Sequence, residues 1–186
     1  MQGVLALPSL QTRSAMTMWS NWLDLTHDRL GLECALPDDL RTLTFFEDLS
    51  AREEAVLRKA LIGRRFKDGE LVFHEGEPGL GMYVVAQGSV EIFRSAKAFV
   101  IATLGPGEIF GEIALLNQVT RMAAARAQGE TELLLMHQPA FHRLVEKHPR
   151  LGVRLLLALA RVMGIRQIRM GDTLDELVNN KMPHKE

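Results

Sequence analysis

The sequence lacks the features of a secreted or membrane-spanning protein. Among its 186 residues there is one cysteine, Cys34, so no disulfide can form within the chain, which suits a reducing compartment. Nothing near it marks a base, and we interpret it as a buried or half-buried thiol rather than a nucleophile. No stretch approaches the ~20 apolar residues of a spanning helix, and the apolar run at residues 4–7 is too short for a secretion signal. We expect a cytoplasmic protein with no membrane insertion.

A basic excess is also missing. Lys and Arg number 22 against 23 Asp and Glu, for a formal net charge of −1. Proteins that bind nucleic acid or membrane surfaces through charge usually carry a basic excess, so direct DNA binding is not expected. The hydrophobic fraction of 47% is ordinary and supplies one sizeable core, and the length suits one domain with extensions.

No motif typical of catalysis or of a metal centre is present. The sequence has neither a Gly-x-x-x-x-Gly-Lys phosphate loop nor a Gly-x-Ser-x-Gly elbow. Three histidines lie five and six residues apart, so no two share a helical face as metal ligands would. These are His137, His142 and His148. We therefore expect no enzyme and no metal.

The first 33 residues divide into two parts. Residues 1–17 show no periodicity and are predicted to be a disordered leader, whereas residues 18–33 predict a short helix with Trp19 and Trp22 on one side. Two tryptophans on an exposed helix need a covering surface. We favour the body of the same chain over a membrane or a partner as that surface.

Ser50 and Glu53 have the spacing of a capping box, which predicts a helix over residues 51–61. Residues 18–62 together are predicted to form an N-terminal helical segment.

Residues 63–138 change character, because short apolar runs alternate with glycine-rich turns. Strands at a spacing of about 8–12 residues predict an antiparallel β-roll or jelly-roll barrel. The absence of helical stretches between them disfavours a parallel, doubly wound sheet. The predicted strands lie near residues 71–73, 82–85, 90–93, 98–102 and 133–136.

Residues 139–179 are predicted to be two helices, with Pro139 in the first turn of one and Pro149 at the start of a longer one. Apolar residues of the longer helix recur at three-, four- and seven-residue intervals, a pattern typical of helix pairing. We predict a homodimer through residues 150–178, with the other face of the helix on the roll. The fold class is thus α+β, mainly β, with N-terminal helices and a long C-terminal dimerisation helix. The pairing residues are Leu156, Leu159, Met163 and Met170.

Residues 110–127 carry the chemistry that points to a ligand. Gly111 permits a positive φ, and the next five residues can form one helical turn whose free N–H groups favour an anion. Arg121 can form two parallel bonds with a phosphate. Glu112 can accept a hydrogen bond from a sugar hydroxyl. Together, the helical turn, Arg121 and Glu112 suit a phosphorylated sugar as the ligand.

This segment resembles the phosphate-binding cassette of the cyclic nucleotide-binding family, written Phe-Gly-Glu-(Leu/Ile)-Ala-Leu, a short loop, and Pro-Arg-x-Ala. Residues 110–115 match outright, and the spacing from Glu112 to Arg121 also matches, as does Ala123. Thr120 replaces the proline. The resemblance covers roughly residues 40–175.

The resemblance implies roles for these residues. Glu112 would bind the ribose 2′-hydroxyl, and Arg121 would pair with the cyclic phosphate. Met122 stands where cGMP-selective members carry a hydroxyl, which favours cAMP over cGMP. The backbone would line the phosphate at Gly111, Ile113, Ala114 and Ala123. The long helix would complete the base pocket, with Arg161, Val162 and Ile165 as candidates.

The family comparison extends to the catabolite activator proteins, whose long helix is followed by a winged helix-turn-helix. This chain ends at Glu186, where no recognition helix is expected to fit. The first hypothesis is a stand-alone sensor that passes its ligand state to an effector protein by helix reorientation. An alternative is a nucleotide-free dimerisation or scaffold domain that retains the roll. A third, a DNA-binding regulator without a helix-turn-helix, is disfavoured by the neutral charge.

Overall fold

The computed structural model describes residues 31–95, 99–117 and 119–181. This part of the chain contains seven strands and four α-helices, joined by turns and short 3₁₀ helices. The strands are β1 (Leu32–Cys34), β2 (Ile62–Phe66), β3 (Leu71–Phe73), β4 (Gly81–Arg94), β5 (Phe99–Leu104), β6 (Ile109–Phe110) and β7 (Ala124–His137); the helices are α1 (Ala51–Leu57), α2 (Glu112–Leu116), α3 (Gln138–Lys147) and α4 (Pro149–Lys181).

All strand pairs are antiparallel, and the sheet runs in the order β1-β2-β7-β4-β5, with β3 paired to β7 and β6 paired to β4. The two central strands, β4 and β7, have 14 residues each. Their pairing shifts register on both sides of Gln87, and such bulges bend a sheet. The sheet therefore forms an antiparallel β-roll as predicted, but it is not closed into a barrel.

The roll separates two apolar clusters because side chains alternate along its strands. On β4, Tyr83 and Val85 belong to the cluster inside the roll, whereas Met82 and Val84 belong to the cluster under the helices. The inner cluster also contains Phe66, Phe110 and Leu135. One face of the sheet is thus covered by helices, and the other encloses the interior of the roll.

The start of α1 follows the prediction, and its end does not. The Ser50 hydroxyl accepts from the Glu53 N–H at 3.4 Å, and the Glu53 carboxylate accepts from the Ser50 N–H at 2.9 Å, which confirms the capping box. The α-helix ends at Leu57, and a 3₁₀ turn over Arg58–Ala60 follows. The reason is that β2 begins at Ile62, so the chain must become extended before the predicted end of the helix.

Residues 32 and 33 were predicted to end a helix, but they belong to β1. Leu32 and Glu33 pair with Arg65 and Arg64 of β2. Gly31 precedes them with a φ of 69°, a conformation that a helix does not contain. Strand pairing therefore prevails over the helical pattern here. Residues 1–17 and 18–30, including both tryptophans, lie outside the described residues. Cys34 is half-buried, as predicted, and burial raises the pKa of its thiol.

The two C-terminal helices begin as predicted, with proline in the first turn of α3 and at the start of α4. Leu155 and Leu159 of α4 are buried in the cluster under the helices, together with Phe141 of α3. Leu159 thus faces the body of the protein, and its assignment to the pairing seam was wrong. Leu156 and Met163 are exposed. Within the described ranges, no helix has an apolar stretch sufficient to cross a membrane.

Candidate functional site

The candidate site begins where β6 meets α2. Gly111 links them with φ 71° and ψ 15°, in the left-handed region that favours glycine. A Cβ at this position would lie 2.4 Å from Nη1 of Arg121, far inside contact distance. Gly111 is therefore required twice, once for the turn itself and once for the room that the arginine needs.

Arg121 reaches the same point from the far side of the short loop. Its backbone N–H donates to the Glu77 carbonyl at 2.7 Å, and its carbonyl accepts from the Gly76 N–H at 2.8 Å. These bonds fasten the loop to the turn between β3 and β4. The side chain is 6% exposed, and Nη1 donates to the Gly111 carbonyl at 3.2 Å. Nε is buried and has no hydrogen-bond partner in the described part of the chain.

The electrostatic state of Arg121 follows from this burial. Burial lowers the pKa of the guanidinium, and the nearby Tyr83, Glu112 and Glu77 side chains oppose that shift. A guanidinium nevertheless remains protonated in proteins. The site therefore holds a buried permanent cation with an unsatisfied donor, and an anion is the group that would satisfy it.

Glu112 is engaged by a residue that sequence reasoning missed. The buried Glu112 carboxylate forms a 2.7 Å salt bridge with Nη1 of Arg166 on α4. Nη2 of Arg166 donates to the Ile109 carbonyl of β6. Arg166 lies outside the cassette motif, so the resemblance does not single it out. The signal was present, since Arg166 continues the stripe of body-facing residues Leu155, Leu159 and Val162 at four- and three-residue steps.

The other predicted cassette residues are distributed around this centre. Ala114 is buried and Ala123 is half-buried, whereas Ile113 and Met122 are exposed, Met122 to 60%. The Ala114 N–H donates to the Gly111 carbonyl at 3.2 Å, so this donor is already used within the turn.

The three base-pocket candidates lie together, but away from the cassette. Arg161, Val162 and Ile165 line a cleft of about 610 Å³ between α4, the turns at residues 44–49 and the turn before β6. Arg161 is paired with Asp48 at 3.4 Å across this cleft. Of the residues described above, Arg166 connects the two regions, because it lines the cleft and binds Glu112.

The described residues contain no group of three or more His, Cys, Asp or Glu side chains that could hold a metal ion.

The architecture is thus an open antiparallel roll that buries an arginine against a glycine-initiated helical turn. Residues 63–148 match the model of the cyclic nucleotide-binding domain. This part of the chain is a cyclic nucleotide-binding domain of the catabolite activator-like kind, which confirms the resemblance.

Individual proteins of similar sequence or structure support this family assignment. The chain is 36% identical over 115 residues to the cyclic AMP receptor protein of Thermus thermophilus, covering 60% of this chain and 53% of that protein. It is 32% identical over 123 residues to the cAMP-dependent protein kinase regulatory subunit of Yarrowia lipolytica, covering 66% and 32%. The N-terminal domain of a Streptomyces coelicolor transcriptional regulator superposes with a TM-score of 0.60 at 30% identity, covering 70% of this chain and 94% of that one. The chain thus spans about half, or less, of the two curated relatives.

Replacing Gly111 by alanine is expected to displace the Arg121 guanidinium, because the added Cβ would stand 2.4 Å from Nη1. Gly129→Ala is the matched control, since Gly129 has a φ of 69° and nothing within 4 Å of an added Cβ. Each substitution should lower the free energy of unfolding by about 1–2 kcal/mol through its left-handed backbone alone. Urea denaturation measures that loss, and crystal structures of both variants locate Arg121. An unmoved guanidinium in Gly111→Ala would contradict the prediction.

Proposed function

We propose that this chain is a cyclic nucleotide-binding regulatory module that prefers cAMP to cGMP. The observation that carries the proposal is the buried Arg121 guanidinium, whose Nε lacks a partner in the described part of the chain. A cyclic phosphate brings one negative charge and two exposed oxygens, which complement one guanidinium. The Thermus and Yarrowia relatives are both named for cAMP, which supports the same ligand class here.

In this proposal Arg121 pairs with the cyclic phosphate, and the backbone of Gly111, Ile113, Ala114 and Ala123 lines it. Glu112 accepts from the ribose 2′-hydroxyl, which its second carboxylate oxygen can do beside Arg166, since an ionised carboxylate has about four acceptor positions. Met122 offers no hydroxyl to a guanine base, which favours adenine. We expect no catalysis, because the relatives named above are regulators and the described residues of the site bring together no nucleophile and base.

The route from ligand to output runs through Arg166. Its salt bridge with the buried Glu112 joins α4 directly to the residue that would bind the ribose. A ligand hydroxyl that donates a hydrogen bond to Glu112 changes the electrostatic environment of Arg166. The preferred position of α4 changes as a result. Ligand binding can shift this equilibrium only if the two helix positions bind the ligand with different affinities.

In this proposal the chain forms a homodimer with a second copy of itself, and the dimer passes its ligand state to an effector protein. Exposed apolar residues on α4 supply the surface for a homodimer, including Leu156, Met163, Met170 and Leu174. The single cysteine fits a cytoplasmic location, and the net charge of −1 gives no reason to expect direct DNA binding.

Calorimetric titration with cAMP and cGMP is the first test. We expect saturable binding of cAMP, weaker binding of cGMP, and a loss of about 2–3 kcal/mol, or roughly 30- to 150-fold in affinity, in Arg121→Ala. Arg126→Ala is the control, because Arg126 is exposed and forms an ion pair with Glu91 across strands β7 and β4. If folded, ligand-free wild-type protein binds neither nucleotide, the proposal fails and the scaffold alternative stands.

Arg166→Gln tests the coupling to α4. Hydrogen exchange of α4 should change on addition of cAMP in the wild type, and this change should shrink or disappear in Arg166→Gln because the bridge to Glu112 is gone. Arg150→Gln is the matched control, since Arg150 is exposed on the same helix and lies outside the residues that line the cleft. A ligand response in Arg166→Gln equal to that of the wild type would exclude this route.

Met163→Lys tests the homodimer by placing a charge in the exposed apolar stripe of α4. Sedimentation equilibrium should give twice the chain mass for the wild type and the single-chain mass for the variant, because burying an unpaired ammonium is unfavourable. Ile165→Lys makes the same chemical change at an exposed residue that lines the cleft instead, and it should remain dimeric. A monomeric wild type would contradict the dimer.

A further inference from the structure

The Arg121 guanidinium lies on an aromatic ring. Its Cζ atom is 4.1 Å from the ring centroid of Phe73 and 5.8 Å from that of Tyr83. Phe73 lies 5.9 Å from Tyr83 and 5.8 Å from Phe110, and the Tyr83 and Phe110 rings stack at 5.2 Å with 13° between their planes. Three rings thus form one aromatic cluster, and Phe73 is the member that contacts the arginine most closely.

Three strands build this cluster, each contributing one ring. Tyr83 of β4 and Phe110 of β6 are direct partners in the sheet. Phe73 pairs with Ala125 of β7, and the pairing of β3 shifts register between Leu71 and Phe73. A shift of this kind redirects the side chain that follows it, and the small Ala125 opposite leaves room for the ring. The position of Phe73 is therefore set by the roll and not by the loop that carries Arg121.

The chemistry of a ring differs from that of a carboxylate partner. An aromatic face attracts a cation through its quadrupole without cancelling the positive charge and without using the in-plane N–H donors. The Tyr83 hydroxyl does not neutralise the charge either, because burial raises the pKa of Tyr83 and keeps the phenol protonated. The carboxylate of the cassette, Glu112, is bound by Arg166. Phe73 therefore contacts the Arg121 guanidinium without cancelling its charge.

We propose that Phe73 is a positioning residue that holds the Arg121 guanidinium by a cation–π contact in the orientation that receives an anionic phosphodiester. The inference rests on the proposed function for its ligand but on the described contacts for its geometry. Without the ring, Arg121 would populate several rotamers, and the ligand would have to order it on binding. Ordering one long side chain corresponds to a loss of about threefold to tenfold in affinity.

Substitution at residue 73 tests this with matched controls. Phe73→Leu keeps an apolar side chain and removes the ring face, so the affinity for cAMP measured by calorimetry should fall threefold to tenfold. Phe73→Tyr keeps the ring face and should have the affinity of the wild type. Phe93→Leu removes a ring that lies 5.2 Å from the Cζ atom of the exposed Arg126 and should leave cAMP affinity unchanged. Thermal denaturation identifies any variant that is not folded.

A change in ring electronics separates positioning from packing. Replacing Phe73 by its mono-, di- and trifluorinated analogues weakens the ring quadrupole at nearly constant shape, so cAMP affinity should decrease stepwise with each fluorine. Equal affinity along the series, or in Phe73→Leu, would overturn the proposal while leaving cAMP binding itself established.

A spectroscopic signature needs no ligand. The Arg121 Nε–H proton should resonate upfield of those of exposed arginines because of the ring current of Phe73, and this shift should vanish in Phe73→Leu and persist in Phe73→Tyr. Absence of the upfield shift in the wild type would overturn the contact. Wild-type protein that shows the shift but binds neither cyclic nucleotide would contradict the proposed function, and with it the ligand role of Phe73, while the contact itself would stand.

Discussion

Burying the Arg121 guanidinium is the constraint on which the rest of the site depends. A permanent charge removed from water is costly unless its surroundings compensate, and here the compensation comes from several elements. The Gly111 carbonyl accepts from Nη1, and the Phe73 ring lies against the guanidinium. The turn at Gly76 and Glu77 fixes the backbone of the arginine. Each of these groups belongs to a different segment, so the cassette can be assembled only when the roll is complete.

The long helix α4 serves the site and the surface at once. Its inner stripe packs on α3 and the sheet through Leu155 and Leu159 and ends in Arg166, which reaches Glu112. Its neighbouring stripe leaves Leu156 and Met163 exposed. The two stripes belong to one continuous helix, so in the proposed function a change at Arg166 would also alter the surface that the exposed stripe presents. The same helix borders the cleft that holds Arg161 and Ile165.

The sequence was sufficient to predict features that depend on residues close together in the chain. The capping box at Ser50, the proline-started helices and the glycine before α2 are set by groups within a few residues of each other, and the sequence was enough for them. Features that depend on distant pairing were missed. Leu32 forms a strand because β2 is beside it, and Leu159 is buried because α3 lies under it.

The same division applies to the candidate site. Gly111, Glu112 and Arg121 could be chosen from spacing and resemblance, whereas their partners Arg166 and Phe73 lie 54 residues after Glu112 and 48 residues before Arg121. No short motif can contain such contacts, because they are created when strands and helices far apart in the chain meet. For Arg166 the helical stripe would have sufficed as a clue, since it continues the body-facing residues. For Phe73 no such clue exists, because its orientation depends on a register shift in β3.

One strand joins the two ends of the molecule without a break. β7 starts at Ala124, three residues after Arg121, and ends at His137, where α3 begins at once. Its fourteen residues correspond to a contour of about 45 Å when extended. The strand is regular on both sides of an irregularity around Gly129, where φ is 69° and the pairing with β4 shifts register. Within either regular stretch, an inserted or deleted residue would exchange the side chains that face the interior of the roll with those that face the helices, up to the irregularity that can absorb the change.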